Sequence, residues 1–249
     1  NDALRRGTLD AMRHYNVVRG VVNDYPSLMP FARQYRSEDS TRVLVGVQWG
    51  DVPDPIDSVP RWLTDRSVQV LGEITAQYAG VAPADPVLEP IWRLAEQFDT
   101  PVGIHMGPGA LGGASIAPLY RASLSNALLL EEVLARHPRL RLWVMHAGWP
   151  FGDEMVALLH HYPNVYVDIA FIDWYIPRAE FHSYLKRLVD AGYGKRIMFG
   201  SDQIQWPGAI GAAIAAVDEA PFLSADQRRD IYCNNAARFL RLDLRLCAE

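Results

Sequence analysis

The strongest constraint on the fold is a regular alternation of two kinds of segment along the 249-residue chain. Short β-branched and apolar runs alternate with longer segments of helical periodicity, which is typical of parallel strands covered by helices. The seven candidate strands span Asn16–Asn23, Arg42–Gly50, Val68–Thr75, Pro101–Gly107, Leu140–Gly148, Asn164–Ala170 and Arg196–Asp202. The predicted helices span Pro86–Phe98, Leu124–Arg136, Phe151–His161, Arg178–Ala191 and Ala225–Phe239. This pattern places the chain in the α/β class.

Two α/β architectures fit the alternation, a (β/α)8 barrel and an open doubly wound sheet. A nucleotide-binding open sheet would carry a glycine-rich phosphate motif that opens a helix. The glycines at the start of Gly107–Arg121 have the G-x-G-x-x-G spacing, but a Pro-containing irregular loop follows them rather than a helix start, and no G-x-x-x-x-G-K-[ST] occurs. The length suits one barrel and no composition break divides the chain, so we predict a single TIM-barrel domain over residues 1–249. Gly107–Arg121 directly follows a strand and is predicted to be an active-site loop.

The charge balance indicates which classes of partner the protein can bind. With 24 Lys and Arg against 29 Asp and Glu, the formal net charge is −5, unlike the basic faces of nucleic-acid-binding and membrane-surface proteins. No apolar run approaches the roughly 18 residues of a membrane span. We therefore expect a small-molecule substrate as partner, no nucleic acid and no membrane, with a homo-oligomer left open. The charged start of the chain favours a cytoplasmic location, and a signal segment already removed is the alternative.

The only cysteines, Cys233 and Cys247, lie near the C-terminus, without a Cys or His nearby at metal-ligand spacing. We expect two unpaired thiols, with one disulfide as the alternative. Neither cysteine lies at a strand end and no G-x-S-x-G motif occurs, so catalysis by a nucleophilic Cys or Ser is not supported.

Two of the seven histidines lie where a barrel places its chemistry. His105 and His146 each end an apolar strand and are followed within two residues by glycine. The carboxyl ends of barrel strands form the active site, so these two side chains are predicted to belong to one site. The remaining five are expected to be surface or capping residues: His14, His137, His160, His161 and His182.

Carboxylates at strand ends extend this set. Asp202 ends an apolar run, where an ionised side chain must be hydrogen-bonded, paired or metal-bound; the alternative is an N-cap on the next helix. Glu73 lies within a buried strand, as a metal ligand or as the ion-pair partner of an arginine. Asp168 is expected to hydrogen-bond to a histidine. Two imidazoles and a carboxylate suit Zn²⁺, and also Mn²⁺, Fe²⁺ or Co²⁺.

Four residues that follow strands are candidates for substrate binding. Trp149 and Trp174 are predicted to line an aromatic pocket, with packing between loops as the equal alternative. Arg121 and Arg178 lie on predicted loops and are candidates to hold a substrate carboxylate.

Several of these segments resemble the amidohydrolase-related family, the branch of the amidohydrolase superfamily that includes aminocarboxymuconate-semialdehyde decarboxylase-like enzymes. The matching segments are GEITAQY (Gly72–Tyr78), PVGIHMGPG (Pro101–Gly109), VMHAGWP (Val144–Pro150), VYVDIA (Val165–Ala170), IMFGSDQ (Ile197–Gln203) and NNAARFL (Asn234–Leu240), so the resemblance extends over nearly the whole chain. It implies a metal-dependent (β/α)8 barrel in which His105 binds the metal, His146 binds metal or polarises the substrate, and Asp202 is a metal ligand and general base. Other branches bridge two metals with a carboxylated lysine on the strand that here carries Glu73, which implies one divalent metal ion in this chain, zinc or manganese.

The chain departs from the family pattern at its start. The family carries H-x-H or E-x-H on its first strand, and no H-x-H occurs in this sequence. We therefore predict a barrel that lacks its first β-strand, because either an N-terminal segment is missing or the protein is a degenerate member. The metal ligands that remain are His105, Asp202, His146 and Glu73.

The leading hypothesis is a metal-dependent hydrolase that cleaves a C–N or C–O bond of a small carbonyl substrate, such as an amide, lactone or ester. Asp202 and His146 are the predicted catalytic residues: Asp202 moves the proton of the attacking water, and His146 stabilises the oxyanion. One alternative is a non-oxidative decarboxylase of an unsaturated or aromatic carboxylic acid, a reaction of relatives in this family. The other is a non-catalytic barrel that binds a ligand with a degenerate metal site.

Overall fold

The computed structural model of the chain describes residues 2–50 and 56–248, which fall into two compact units. The larger unit is Arg19–Val165, and the smaller unit combines Asn1–Val18 with Tyr166–Glu249. The strands are β1 Gly20–Asp24, β2 Val43–Trp49, β3 Val70–Ile74, β4 Val102–Ile104, β5 Leu142–Val144, β6 Val165–Asp168 and β7 Ile197–Met198. The α-helices are α1 Asp2–His14, α2 Met29–Glu38, α3 Val59–Thr64, α4 Glu89–Gln97, α5 Gly113–Ile116, α6 Glu131–Arg136, α7 Gly152–His161, α8 Ile172–Tyr175, α9 Arg178–Leu188, α10 Ala209–Asp218, α11 Ala225–Arg229 and α12 Asn235–Leu240. None of the helices in the described ranges has the length and apolar character needed to cross a membrane.

Strands β1 to β5 of the larger unit lie side by side in chain order, and each adjacent pair is parallel. Parallel neighbours require a crossover connection, and helices of this unit lie in each of the four connections. Strand side chains such as Val45, Leu71, Ile104 and Val144 are fully buried, as expected where helices cover a parallel sheet. Because these strands are parallel, their carboxyl ends share one edge of the sheet.

Two glycines allow β3, β4 and β5 to pack closely near that edge. Gly72 has a φ of +135°, and a Cβ atom added to it would lie 2.7 Å from the carbonyl oxygen of Gly103. A Cβ atom on Gly103 would lie 2.3 Å from the ring of Trp143. Any larger residue would force backbone or ring displacement, so both glycines are needed for the spacing of the strands that carry Glu73 and His105.

The smaller unit contains the parallel pair β6 and β7. The helix predicted over Ala225–Phe239 is divided into α11, a π-helical turn at Asp230–Asn234 and α12. Ser224 begins it with a capping box that includes Gln227. The amide of Phe199 donates to the carbonyl of Ile231 at 2.8 Å, which fixes this helical segment against the residue that follows β7.

The strand predictions are confirmed in position. The two described ranges contain seven strands, one within or overlapping each predicted run, and the chain has the helix-covered parallel strands of the predicted TIM-barrel class without a strand bearing H-x-H. Several strands are shorter than predicted, with three residues in β4 and β5 and two in β7. Apolar burial continues beyond the last paired residue, and hydropathy alone does not mark where pairing ends. The predicted helices did not include α1, α2, α3, α5, α8 and α10. A single domain over 1–249 stays a prediction.

The expectation of two unpaired thiols is wrong. Cys233 and Cys247 form a disulfide, with a sequence separation of 14 and Cα atoms 5.6 Å apart. Cys233 lies in the π-helical turn, and Cys247 ends a 3₁₀ helix at Leu244–Cys247. Arg241 adopts a left-handed conformation after α12 and reverses the chain, so the pairing depends on a local turn that cysteine spacing does not reveal.

His137 caps α6 at its C-terminus, as predicted, but it is buried rather than exposed. Its Nδ1 lies 3.3 Å from Oε2 of Glu96, and its Nε2 lies 3.2 Å from Oε1 of Glu89. The two glutamates are seven residues apart on α4, so they share one face of that helix. This His137 cluster (Glu89, Glu96 and His137) joins α4 to the turn that leads into β5.

Glu96 makes the stability of the larger unit depend on pH. Burial by itself raises the pKa of Glu96, but the amide of Arg139 and the hydrogen bond and charge of His137 hold that pKa below its ordinary value. A carboxyl with a lowered folded pKa stabilises the protein above its unfolded pKa, about 4.3, and this stability is lost as pH falls through the folded pKa. We expect Glu96→Gln to lower the free energy of unfolding by about 1 kcal/mol at pH 7, with the difference declining below about pH 4.

Urea unfolding of the wild type and Glu96→Gln across this pH range tests the expectation. Glu132→Gln, at an exposed position on α6, is the matched control and should change stability little. A Glu96→Gln difference that stays constant down to about pH 2 would show that the carboxylate charge is not its source.

Candidate metal centre

Three predicted site residues come from the ends of three adjacent strands in the larger unit. Glu73 is the penultimate residue of β3, and His105 directly follows β4. His146 lies in the turn Met145–Gly148 that follows β5. Because β3, β4 and β5 are parallel neighbours, their carboxyl ends place these three side chains together, as the sequence predicts for the two histidines.

The three side chains converge through one atom each. Nδ1 of His105 lies 2.8 Å from Oε1 of Glu73 and 3.0 Å from Nε2 of His146. Nε2 of His146 lies 3.6 Å from the same Glu73 oxygen. His105 and His146 are buried, and Glu73 is nearly so. Of the two roles left open for Glu73, this position favours the metal ligand, since its neighbours are the histidines rather than an arginine.

A backbone carbonyl defines the tautomer of His105. Its Nε2 lies 3.1 Å from the carbonyl oxygen of Gly107, and because a carbonyl can only accept, that nitrogen carries the hydrogen. In the neutral ring, Nδ1 then has a lone pair that faces the Glu73 carboxylate. Two acceptors at 2.8 Å repel each other unless a cation, either a proton or a metal ion, lies at their meeting point.

The histidines also control the ionisation of Glu73. Burial by itself raises the pKa of this carboxyl, but hydrogen bonds and charges from His105 and His146 hold the pKa well below its usual range. Glu73 is therefore an anion in this environment, which is the form in which a carboxylate binds a metal.

The backbone at His146 adopts an uncommon conformation. His146 and Ala147 have φ values of 57° and 48°, in the left-handed region that residues with a Cβ atom seldom occupy. Such conformations cost about 1–3 kcal/mol and concentrate at functional sites. The turn directs the imidazole of His146 toward Glu73 and His105, which an ordinary strand-to-helix turn need not do.

The donor set and its spacing fit a divalent metal ion. A tetrahedral zinc ion with ligand bonds of about 2.0–2.2 Å places its ligand atoms about 3.3–3.6 Å apart. The observed separation of 3.6 Å lies in this range, and those of 2.8 and 3.0 Å are shorter, so the side chains would move apart by a few tenths of an ångström around the ion. The ligand atoms all lie within 4.8 Å of one another. A metal-binding imidazole usually donates its second N–H to a carbonyl or carboxylate, as His105 does to Gly107. Glu73, His105 and His146 can therefore hold such an ion.

Aromatic and polar side chains that the sequence analysis did not single out surround His105. The ring of Tyr78 lies 4.9 Å from that of His105, and the ring of Tyr120 lies 6.2 Å away. Gln77 is fully buried and donates from its side-chain amide to the backbone carbonyl of His105. The hydroxyl of Ser125 donates to the carbonyl oxygen of Gly107 at 2.6 Å. Isolated hydroxyls and amides on loops have no periodicity, so no sequence pattern marked these residues as neighbours of His105.

The other two predicted site residues of the larger unit are engaged with the backbone. The amide of Trp149 donates to the carbonyl of His146 at 3.0 Å, which closes the turn after β5. The guanidinium of Arg121 donates to the carbonyls of Pro118 and Tyr120, at 2.6 and 2.9 Å. Their roles in substrate binding stay predictions.

The remaining predicted residues belong to the smaller unit. Asp202 follows β7 with a φ of 42°, and its roles as metal ligand and general base stay predictions. Asp168 is buried at the end of β6 and accepts from the amide of Ala170 at 3.1 Å. Arg178 donates to the carbonyl of Asp173 at 3.3 Å and pairs with Glu219 at 3.2 Å.

Trp174 belongs to an aromatic cluster in the smaller unit. Its ring lies 5.2 Å from that of Phe171 and 6.2 Å from that of Trp206, while Phe171 stacks on Tyr175 at 4.2 Å. Its indole N–H donates to the carbonyl of Ser201, which ties the cluster to the residue before Asp202. The packing alternative for Trp174 therefore has direct contacts in its favour, and substrate binding stays a prediction.

The parallel strands and the candidate metal ligands at their ends together indicate one protein family. Residues 8–242 match the amidohydrolase family, and because the match covers most of the chain, the protein belongs to that family. The resemblance found in the sequence motifs is thereby confirmed. No curated protein matches the sequence significantly.

Solved structures share the fold. An uncharacterised TIM-barrel protein from Bordetella bronchiseptica superposes with a TM-score of 0.73 at 15% identity, over 100% of this chain and 92% of that chain. An amidohydrolase from Burkholderia multivorans with bound zinc has a TM-score of 0.65 at 16% identity, over 96% and 88%. 5-Carboxyvanillate decarboxylase from Sphingomonas paucimobilis has a TM-score of 0.63 at 16% identity, over 94% and 82%. At these identities the likeness establishes the fold alone.

Proposed function

We propose that the protein is a metal-dependent hydrolase that cleaves a C–N or C–O bond of a small carbonyl substrate, such as an amide, lactone or ester. The observation that carries the proposal is the convergence of Glu73, His105 and His146 at the ends of three adjacent strands. Three protein ligands with an open fourth position are the usual composition of a catalytic zinc site. Nitrogen and oxygen donors together favour zinc, with manganese as the second choice.

The ion at such a site supplies a water of lowered pKa and polarises the substrate carbonyl. Glu73 contributes negative charge, and Nδ1 of His105 contributes a lone pair held in place by the bond from Nε2 to Gly107. Nε2 of His146 faces the same point and is assigned as the third ligand. We keep Asp202 as the group that accepts the proton of the attacking water, and the oxyanion role of His146 as the alternative to ligation.

The alternative reaction is the non-oxidative decarboxylation of an unsaturated or aromatic carboxylic acid. The likeness to 5-carboxyvanillate decarboxylase keeps it open. A decarboxylase needs a cation that holds the substrate carboxylate, and Arg121 and Arg178 were the candidates. Arg121 donates to two backbone carbonyls of its own loop, and Arg178 pairs with Glu219. Each contact uses only part of a guanidinium that has five N–H donors, so the assay below, and not these contacts, distinguishes the two reactions.

Metal analysis and substrate screening of the purified protein test the proposal. We expect about one zinc or manganese ion per chain after reconstitution, and metal-dependent acid release from a panel of lactones, esters and amides. Hydroxybenzoic acids in the same assay, with carbon dioxide as the readout, test the alternative; carbon dioxide release without hydrolysis of any panel member would replace our proposal with it. A protein that takes up neither metal after reconstitution would be a non-catalytic barrel.

A further inference from the structure

The carbonyl of Gly107, two residues beyond His105, is the centre of a buried hydrogen-bond network. It contacts Nε2 of His105 at 3.1 Å, Oγ of Ser125 at 2.6 Å and the hydroxyl of Tyr120. The two hydroxyls also contact each other. Tyr120 is 5% exposed and Ser125 is fully buried, so water has little access to compete for these bonds.

The number of hydroxyl hydrogens limits which bonds this network can contain. Tyr120 and Ser125 have one hydroxyl hydrogen each, and one of these must lie between the two oxygens. The other is donated to the Gly107 carbonyl, whichever of the two residues supplies it. The carbonyl oxygen has two lone pairs, so the second remains for the N–H of His105. The hydroxyl pair and the imidazole thus share this carbonyl without leaving a buried donor unpaired.

Tyr120 also links the two ends of the long loop that follows β4. Gly107 begins this loop and Tyr120 lies near its end, with the exposed residues Leu111 and Ile116 between them. The Tyr120 ring packs 4.9 Å from that of Tyr78, which in turn packs 4.9 Å from His105. The hydroxyl contact therefore holds the start of the loop, and with it the Gly107 carbonyl, beside the imidazole.

We propose that Tyr120 and Ser125 are positioning residues for the metal: through the Gly107 carbonyl they hold His105 in the tautomer that presents Nδ1 to the ion. This inference rests on the proposed metal-dependent function and names two residues that the ligand set does not include. Without the hydroxyl pair, the carbonyl can rotate away and the ring can place its hydrogen on Nδ1, the atom that must be bare to bind metal. Neither residue is a ligand or touches the reacting atoms.

Zinc affinity tests the proposal first. Competition with a chromophoric chelator measures the zinc Kd of the wild type, Tyr120→Phe, Ser125→Ala and the double variant. Each single variant leaves one hydroxyl able to reach Gly107, so we expect the larger loss in the double variant, about 10–100-fold. The matched control is Tyr232→Phe with Ser224→Ala, which removes the hydroxyl bonds of Tyr232 to Ile214 and Asp218 and the helix cap at Ser224. This control should lose stability but keep the wild-type zinc Kd.

The tautomer itself is a readout that a purely structural role would not move. In protein labelled with ¹⁵N-histidine and loaded with zinc, we expect His105 to carry its hydrogen on Nε2, because Nδ1 then faces the ion. The double variant should show a mixture of tautomers, and His105→Gln identifies the resonances by their loss.

The two measurements separate failure of the inference from failure of the proposed function. A wild-type His105 with a bare Nε2, or a double variant with unchanged tautomer and unchanged zinc affinity, would overturn the positioning role even if the enzyme is a zinc hydrolase. A wild type that binds no metal would overturn the proposed function, and the positioning role with it. The wild-type spectrum also keeps the inference testable if the double variant fails to fold.

Discussion

Replacing His105 with alanine is expected to weaken zinc binding by at least about 100-fold and to abolish metal-dependent hydrolysis. The substitution removes one of three converging ligands, whereas loss of a residue that only supports a ligand costs about 10–100-fold. It also leaves Glu73 without its 2.8 Å partner. Measurement of the zinc Kd together with kcat/KM at saturating zinc checks both effects.

His182→Ala is the matched control for this variant. His182 lies on α9 in the smaller unit and contacts the carbonyl of Ala216 through Nε2 at 2.8 Å, so its loss should leave zinc affinity unchanged. Wild-type zinc affinity in the folded His105→Ala protein would exclude His105 as a ligand. Circular dichroism of both variants establishes that they are folded before the affinities are compared.

Removal of the disulfide is expected to cost about 3 kcal/mol of unfolding free energy, because it restores conformational freedom to the unfolded C-terminal segment. Cys233 and Cys247 are 14 residues apart in sequence, and a closed loop of about 15 residues has this expected effect in the chain-entropy model. Urea unfolding of the wild type with and without a thiol reductant measures it. The double variant Cys233→Ser with Cys247→Ser should match the reduced wild type and should not respond to reductant. Equal stability of oxidised and reduced wild type would contradict the prediction.

The sequence predicted those parts of the site that depend on strand order. Each apolar run marks the position of a strand, and the residues that follow parallel strands necessarily lie at the same edge of the sheet. This reasoning found His105 and His146, and placed Glu73 on the neighbouring strand with two roles open. The choice between those roles required side-chain geometry, since a buried glutamate pairs with an arginine as readily as with histidines.

Features that depend on local turns were not predictable in the same way. The disulfide requires the reversal at Arg241, and Tyr120 reaches Gly107 only because of how the intervening loop folds back. The burial of His137 had a weak sequence sign, the two glutamates seven residues apart on α4. A histidine that caps one helix and contacts another is, however, a tertiary arrangement that helical periodicity does not encode.

Strand β5 is three residues long, and it separates two charged clusters of very different kind. The turn leading into it contains His137, bound between Glu89 and Glu96, while His146 follows the strand two residues later. All three residues of β5 are in register with β4, so one short strand pair supports the His137 cluster at one end and the turn that carries His146 at the other.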